Sequence, residues 1–187
     1  MLDRSIFYKT FILLFIIWIC FFLQKLEIID SIKFSSYHKN NWYSIFTGVF
    51  LHANTSHIVG NVKGLILALP LLFYFYKKYS IELIFSGLFF PSFLSYAIGM
   101  NIMGSSGLVF TLIWFLIFAG IGSKDKERFF ASIILILFYS YSLMGITPDA
   151  GYRIAWQTHL FGFIIGFIYA LRRYWKKDKK VLENTVE

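Results

Sequence analysis

Between Leu83 and Ser123 the chain carries no charged residue, and inside that stretch stands Gly104-Ser105-Ser106-Gly107. No other feature constrains the fold as much. The run is long enough for two apolar helices in succession, and it must still accommodate a pair of hydroxyls. A soluble domain of this size is about a quarter charged. Here charged residues make up 15%, hydrophobic residues 58% and aromatics 21%, with mean hydropathy +0.65. Two further polar pieces interrupt apolar stretches: His57-Ile58-Val59-Gly60-Asn61, and His159 followed by Gly162 and Gly166. Polar and ionisable groups are costly in a bilayer, so each piece is by default a functional hypothesis.

Six apolar spans follow from the hydropathy pattern: roughly Ser5–Gln24, His57–Tyr76, Ile81–Met100, Ser105–Gly122, Phe129–Thr147 and Ile154–Leu171. Each is close to the ~20 residues that cross the hydrocarbon as a helix. The first exceeds a signal-peptide core and precedes no small-residue cleavage site, so it reads as a retained helix. Pro70 and Pro91 fall inside the second and third spans. Membrane helices tolerate proline because neighbouring helices satisfy the freed carbonyl. Cys20 is the single cysteine, which excludes a disulfide framework and a Cys-rich metal site; it reads as a small packing residue.

Loop charge sets the expected orientation. With a cytoplasmic N-terminus, thirteen lysines and arginines face the cytoplasm: Arg4, Lys9, Lys77, Lys78, Lys124, Lys126, Arg128, Arg172, Arg173, Lys176, Lys177, Lys179 and Lys180. Only Lys25, Lys33, Lys39 and Arg153 face outward. This positive-inside bias predicts both termini in the cytoplasm. It also accounts for the net charge of +8 without nucleic-acid binding, for which a basic stripe on one folded face is missing. Residues 1–175 read as a single transmembrane domain and 176–187 as a charged cytoplasmic tail.

This orientation puts His57, Ser106 and His159 in the outer half of the membrane. His57 and Asn61 are four residues apart and share a helix face. Ala155, His159, Gly162 and Gly166 share a face of span six. Small residues let helices approach closely in lipid, so span six is expected against span four, bringing His159 to Ser106. Gly104, Gly107, Gly162 and Gly166 are packing positions in this reading. A nucleophile, an imidazole and two side-chain donors held at one depth point to a serine hydrolase working within the membrane.

The motif set as a whole resembles the rhomboid family of intramembrane serine proteases, in its compact six-helix bacterial form. Phe46-Thr47-Gly48-Val49-Phe50-Leu51-His52 followed by His57-x-x-x-Asn61 resembles the family's entry into its second helix. Gly104-Ser105-Ser106-Gly107 resembles the G-x-S-G of the fourth, and His159-x-x-Gly162-x-x-x-Gly166 the sixth. The similarity runs from about Trp42 to Arg172.

The resemblance implies an all-α membrane protein, a six-transmembrane-helix bundle. It implies a Ser–His dyad of Ser106 and His159, and an oxyanion pocket made by the Ser106 N–H with the side chains of His57 and Asn61. It implies cleavage of helical membrane proteins near their outer end, and a bacterial cytoplasmic membrane. Ser106, not Ser105, has glycines at −2 and +1. Asp149 is not cast as a third catalytic member. Phe110, one turn beyond Ser106, stacks under the His159 ring by resemblance, or simply packs in the core. No cofactor or metal is expected, since no nucleotide, haem or ligand motif occurs.

Three features depart from the family pattern. No arginine follows Trp42, so the usual anchoring of the first outer segment is in doubt; Lys25–Ser44 reads as a hairpin partly submerged in the interface. Thr158 stands where the family usually has alanine, and a local hydrogen bond is expected of it. Lys63 lies about 200° from Asn61 around the helix. It is expected to snorkel or to pair with a loop carboxylate such as Glu27. A rival from another class is a rhomboid-like protein that binds membrane proteins without cutting them. A small transporter is disfavoured, because it would show ionisable pairs or inverted repeats at mid-membrane.

Overall fold

A computed structural model describes residues 4–30, 34, 41–147 and 155–183, with side chains as far as Tyr174. Asp149, Arg153 and residues 31–33 and 35–40 of the expected interfacial hairpin lie outside the described residues, as do the side chains of the 176–187 tail. Among the described residues the chain is all helical. Six long helices are α1 (Arg4–Lys25), α2 (Thr55–Phe75), α3 (Ser80–Ala97), α4 (Ser106–Ile121), α5 (Lys126–Tyr139) and α6 (Trp156–Glu183). Four helical stretches are long and apolar enough to cross a membrane: Arg4–Lys25, Thr55–Phe75, Lys77–Ala97 and Lys126–Ile146. The sixteen-residue α4 is apolar but shorter.

Local chemistry sets the helix ends. Asn54 caps α2, its side chain accepting from the His57 N–H at 2.8 Å. Asp125 caps α5 by accepting from Glu127 and Arg128 N–H groups. Both are residue types whose short side chains satisfy the first orphan donors of a helix. The helices run through Pro70 and Pro91. The fifth apolar span, expected as one helix to Thr147, instead leaves α geometry at Tyr139 and continues as a 3-10 segment, Ser140–Ile146. Ser142 and Thr147 hydroxyls donate to the carbonyls of Tyr139 and Met144 at 2.6 and 3.0 Å. Such side-chain bonds compete with the α ladder and favour tighter turns.

Helix α4 is the axis of the bundle: fourteen of its sixteen residues are buried, and α2, α3, α5 and α6 all contact it. Helix α6 lies directly on it. A Cβ on Gly162 would stand 2.5 Å from the Gly107 carbonyl oxygen, and one on Gly166 2.5 Å from that of Thr111. Both glycines are therefore required by backbone approach. Helix α1 sits at the periphery with only Ile6, Thr10, Ile17 and Phe21 buried.

Candidate functional site

The site forms at the end of the bundle where α2, α4 and α6 begin. A cavity of about 880 Å³ is lined by His57, Gly60 and Asn61 of α2, Ser106 and Phe110 of α4, and Ala155 and His159 around the start of α6. Asn101, Met103, Tyr139 and Ser142 also line it, with Val109, Ile113 and Trp114 of α4. The lining carries several hydroxyl, amide and imidazole groups and no formally charged side chain. A largely apolar wall thus surrounds a few polar side chains brought together from three helices.

Ser106 is the first residue of α4 and is buried, 7% exposed. The first N–H groups of a helix have no partner within it and carry its positive dipole end. Ser106 Oγ and these amides therefore share the cavity end of α4. The approach to Ser106 depends on Gly104. Its φ is +110°, in the left-handed region that glycine tolerates. Its N–H donates to the Gly48 carbonyl at 2.9 Å. A Cβ there would lie 2.7 and 2.8 Å from His57 Cε1 and Nε2 and 3.2 Å from Asn61 Nδ2. His57 and Asn61 thus both press against the chain two residues ahead of Ser106. On the other side, a Cβ on Gly107 would meet Pro91 at 2.8 Å and Thr158 at 3.3 Å. Ser105, by contrast, is 1% exposed, and its buried Oγ has no hydrogen-bond partner among the described residues.

His159 stacks flat on Phe110, with ring centroids 4.3 Å apart and planes 9° apart. Its Nδ1 lies 3.0 Å from the Gly145 carbonyl oxygen. A carbonyl only accepts, so Nδ1 carries the proton and Nε2 is left with the lone pair. Among the described residues no hydrogen bond joins Ser106 Oγ to His159; the two share the cavity without closing that contact. Gly145 has no signal in sequence, because the interaction uses backbone alone.

Other expectations resolve as follows. Thr158 is buried, and its hydroxyl pairs with Ser95 of α3 at 2.7 Å. The local bond expected of Thr158 is thus replaced by a tertiary one, because the small Gly107 surface lets α6 come within reach of α3. Lys63 is exposed, and neither ion pair among the described residues, Arg128–Asp125 and Arg172–Glu82, involves it or Glu27. Where the family's arginine is missing, the segment before α2 is tied by other means. Thr47 donates to the Phe34 carbonyl at 2.8 Å, and the Tyr43 ring meets Phe34 edge-on at 5.9 Å. No cluster of metal-ligating side chains occurs among the described residues.

A family model described as the Rhomboid domain matches residues 39–176, well over half of the 187. The chain belongs to the rhomboid family. No curated protein and no solved structure gives a significant match. Rhomboid membership together with several apolar helices makes this a multi-pass integral membrane protein. The rhomboid family consists generally of intramembrane serine proteases acting on helical membrane substrates within the bilayer.

Proposed function

We propose that this rhomboid is an intramembrane serine endopeptidase working through a Ser106–His159 dyad. The observation that carries this reading is the shared cavity: Ser106, His159, His57 and Asn61 come from three helices and all line it. Six transmembrane helices, with both termini cytoplasmic and residues 176–187 as a cytoplasmic tail, complete the proposal. Residues 1–175 form one domain, and a bacterial cytoplasmic membrane is the proposed setting.

In this mechanism Ser106 Oγ attacks the scissile carbonyl carbon while His159 Nε2 takes its proton. The Gly145 carbonyl holds the imidazole in the tautomer that leaves Nε2 free to do so. Charge develops on the substrate oxygen, and the Ser106 N–H with the His57 and Asn61 side chains stabilises it. Preorganised donors of this kind are worth on the order of 3 kcal/mol each. His159 then returns the proton to the leaving amine. Water adds to the acyl-enzyme, losing its proton to His159; the bond to Ser106 Oγ then breaks, His159 returns that proton to Oγ, and the new carboxyl end is released. A cavity of about 880 Å³ leaves room for that water, whose share of liquid volume is about 30 Å³.

The test is a reconstituted cleavage assay on labelled single-span substrates, comparing the wild type with Ser106→Ala. Cleavage by the wild type alone supports the reading. Equal cleavage by both variants assigns the chemistry to another residue. Binding of substrates without any cleavage favours the non-cutting, membrane-protein-binding alternative.

A further inference from the structure

Outside the cavity wall, a second histidine is bonded to Asn61. His52 lies in the short connection ahead of α2 and is fully buried. Its Nε2 stands 3.0 Å from Asn61 Nδ2. An amide nitrogen can only donate, so Nε2 accepts. That contact uses one of the two N–H groups of the Asn61 amide. The same nitrogen faces the Gly104 backbone, 3.2 Å from where a Cβ would stand, and Asn61 lines the cavity. The second N–H is left without a partner among the described residues, on a residue that lines the cavity.

The acceptor on His52 decides which end of the amide is presented. Without it, the amide can rotate by half a turn and offer Oδ1, an acceptor that repels an oxyanion. His52 is itself gripped from α1. Gln24 Nε2 donates to the His52 carbonyl at 2.9 Å, and the His52 N–H donates to Gln24 Oε1 at 3.1 Å. This two-point clamp fixes the backbone, while the Phe21 ring edge and the His57 ring flank the imidazole at 6.4 and 5.2 Å.

We propose that His52 is a positioning residue that fixes the Asn61 amide so that its second N–H is presented to the cavity, and that Gln24 holds His52 in place from α1. The proposal rests on the reading of Asn61 as an oxyanion donor. It assigns the peripheral first helix a part in that pocket.

The test uses the full-length protein with His52→Leu, His52→Gln, Asn61→Ala and the His52→Leu, Asn61→Ala double variant. Turnover, KM and thermal unfolding are measured together on one single-span substrate. His52→Leu should lower kcat about ten- to a hundredfold, the scale of a mispositioned group, with KM unchanged. His52→Gln, whose Oε1 can accept, should recover most of that loss. The double variant should be no slower than Asn61→Ala, because His52 acts through Asn61. A readout independent of turnover is the ¹⁵N side-chain amide signal of Asn61. One of its two protons should be protected from exchange in the wild type and in His52→Gln, and unprotected in His52→Leu.

Multiplicative losses in the double variant, or a folded His52→Leu protein with normal kcat, would overturn the proposal. So would His52→Gln melting like the wild type without recovering turnover. An active wild type whose Asn61→Ala variant keeps full turnover removes the oxyanion reading and this inference with it. An inactive wild type removes the protease reading instead, and the Asn61 amide signal then decides alone whether His52 sets the amide.

Discussion

Helices α4 and α5 are both apolar and both border the cavity, yet they are held very differently. Helix α4 buries fourteen of sixteen residues, whereas α5 buries only Ser132 and Leu135 of fourteen. Leu137 and Phe138 of α5 are 75% and 73% exposed. In lipid, apolar surface does not drive helices together, because the acyl chains solvate it equally well. Close packing must come from small residues: Gly107, Gly162 and Gly166 line the seam where α6 meets α4, whereas α5 approaches α4 closely only around Gly120 and Ser132. Ser106 is therefore carried by a helix packed on nearly every side. The Gly145 carbonyl that orients His159 follows a helix with few neighbours. The firm half of the site is thus the α4–α6 pair that carries Ser106 and His159, and the looser half is the segment after α5 that orients the His159 ring.

The largest expected effect comes from the firm half. Ser106→Ala removes the nucleophile from a helix end that has no substitute. It should lower turnover at least about 10⁴-fold and abolish labelling by a fluorophosphonate, with the fold intact. Ser105→Ala should keep much of both. Persistent labelling of the Ser106→Ala protein would break the assignment. His159→Ala should be as inactive as Ser106→Ala, since members of such a unit do not contribute independently.

Packing offers the next contrast. Leu112 of α4 is fully buried, and Leu112→Ala should cost about 2–4 kcal/mol in detergent unfolding, as for large core truncations generally. Leu137→Ala on α5 should stay within about 0.5 kcal/mol. Amides of α5 should also exchange faster than those of α4, because local opening is easiest where few contacts hold an element. Equal losses for the two leucines would show that α5 is packed by something other than its own chain.

The looser half should respond in a graded way. A Cβ on Gly145 would lie 3.2 Å from His159 Nδ1 and 3.5 Å from Phe110 Cζ. That is crowded, and a segment with little support can move to relieve it. Gly145→Ala should therefore lower kcat about tenfold rather than abolish it, a misplacement effect. A total loss equal to that of His159→Ala would mean that the segment after α5 is as rigid as α4.

These contrasts also show what sequence could and could not convey. The apolar spans, the polar interruptions and the small-residue face of α6 are periodic or compositional, and sequence exposes them. The helix-sharing pair His57 and Asn61 was visible for the same reason, since a four-residue spacing sets a common face. What stayed hidden depends on chain segments meeting from a distance. Gly145 acts through its carbonyl, which every residue has. His52 stood in plain view within the Phe46–His52 stretch, but its bond to Asn61 requires the turn at Leu51–Asn54, and its clamp requires the end of α1. Nor does an apolar run by itself say whether a helix is buried, because an apolar side chain suits a protein interior and a lipid boundary alike. The fifth apolar span emerges over Lys126–Ile146, but its change from α to 3-10 geometry was hidden, since it accompanies the Ser142 and Thr147 hydroxyl bonds to nearby carbonyls.

The smallest effect tests the seam between α3 and α6, on the firm side of the molecule. The Ser95 and Thr158 hydroxyls are both buried and lie 2.7 Å apart. Interhelical hydrogen bonds of this kind contribute about 0.6 kcal/mol in membrane proteins, because the alternative states also find partners. Thr158→Ala should cost somewhat more, about 1 kcal/mol, since Ser95 is left buried and unpaired. Ser95→Ala should cost a similar amount by leaving Thr158 unpaired. Removing both hydroxyls leaves no orphan, so the Ser95→Ala, Thr158→Ala double variant should be close to the wild type in thermal unfolding. It should also cleave at the wild-type rate, because neither residue lines the cavity. A double variant that melts as early as the sum of the singles would show that the Thr158 methyl, which sits 3.3 Å from the place of a Gly107 Cβ, holds the seam by packing rather than by its hydrogen bond.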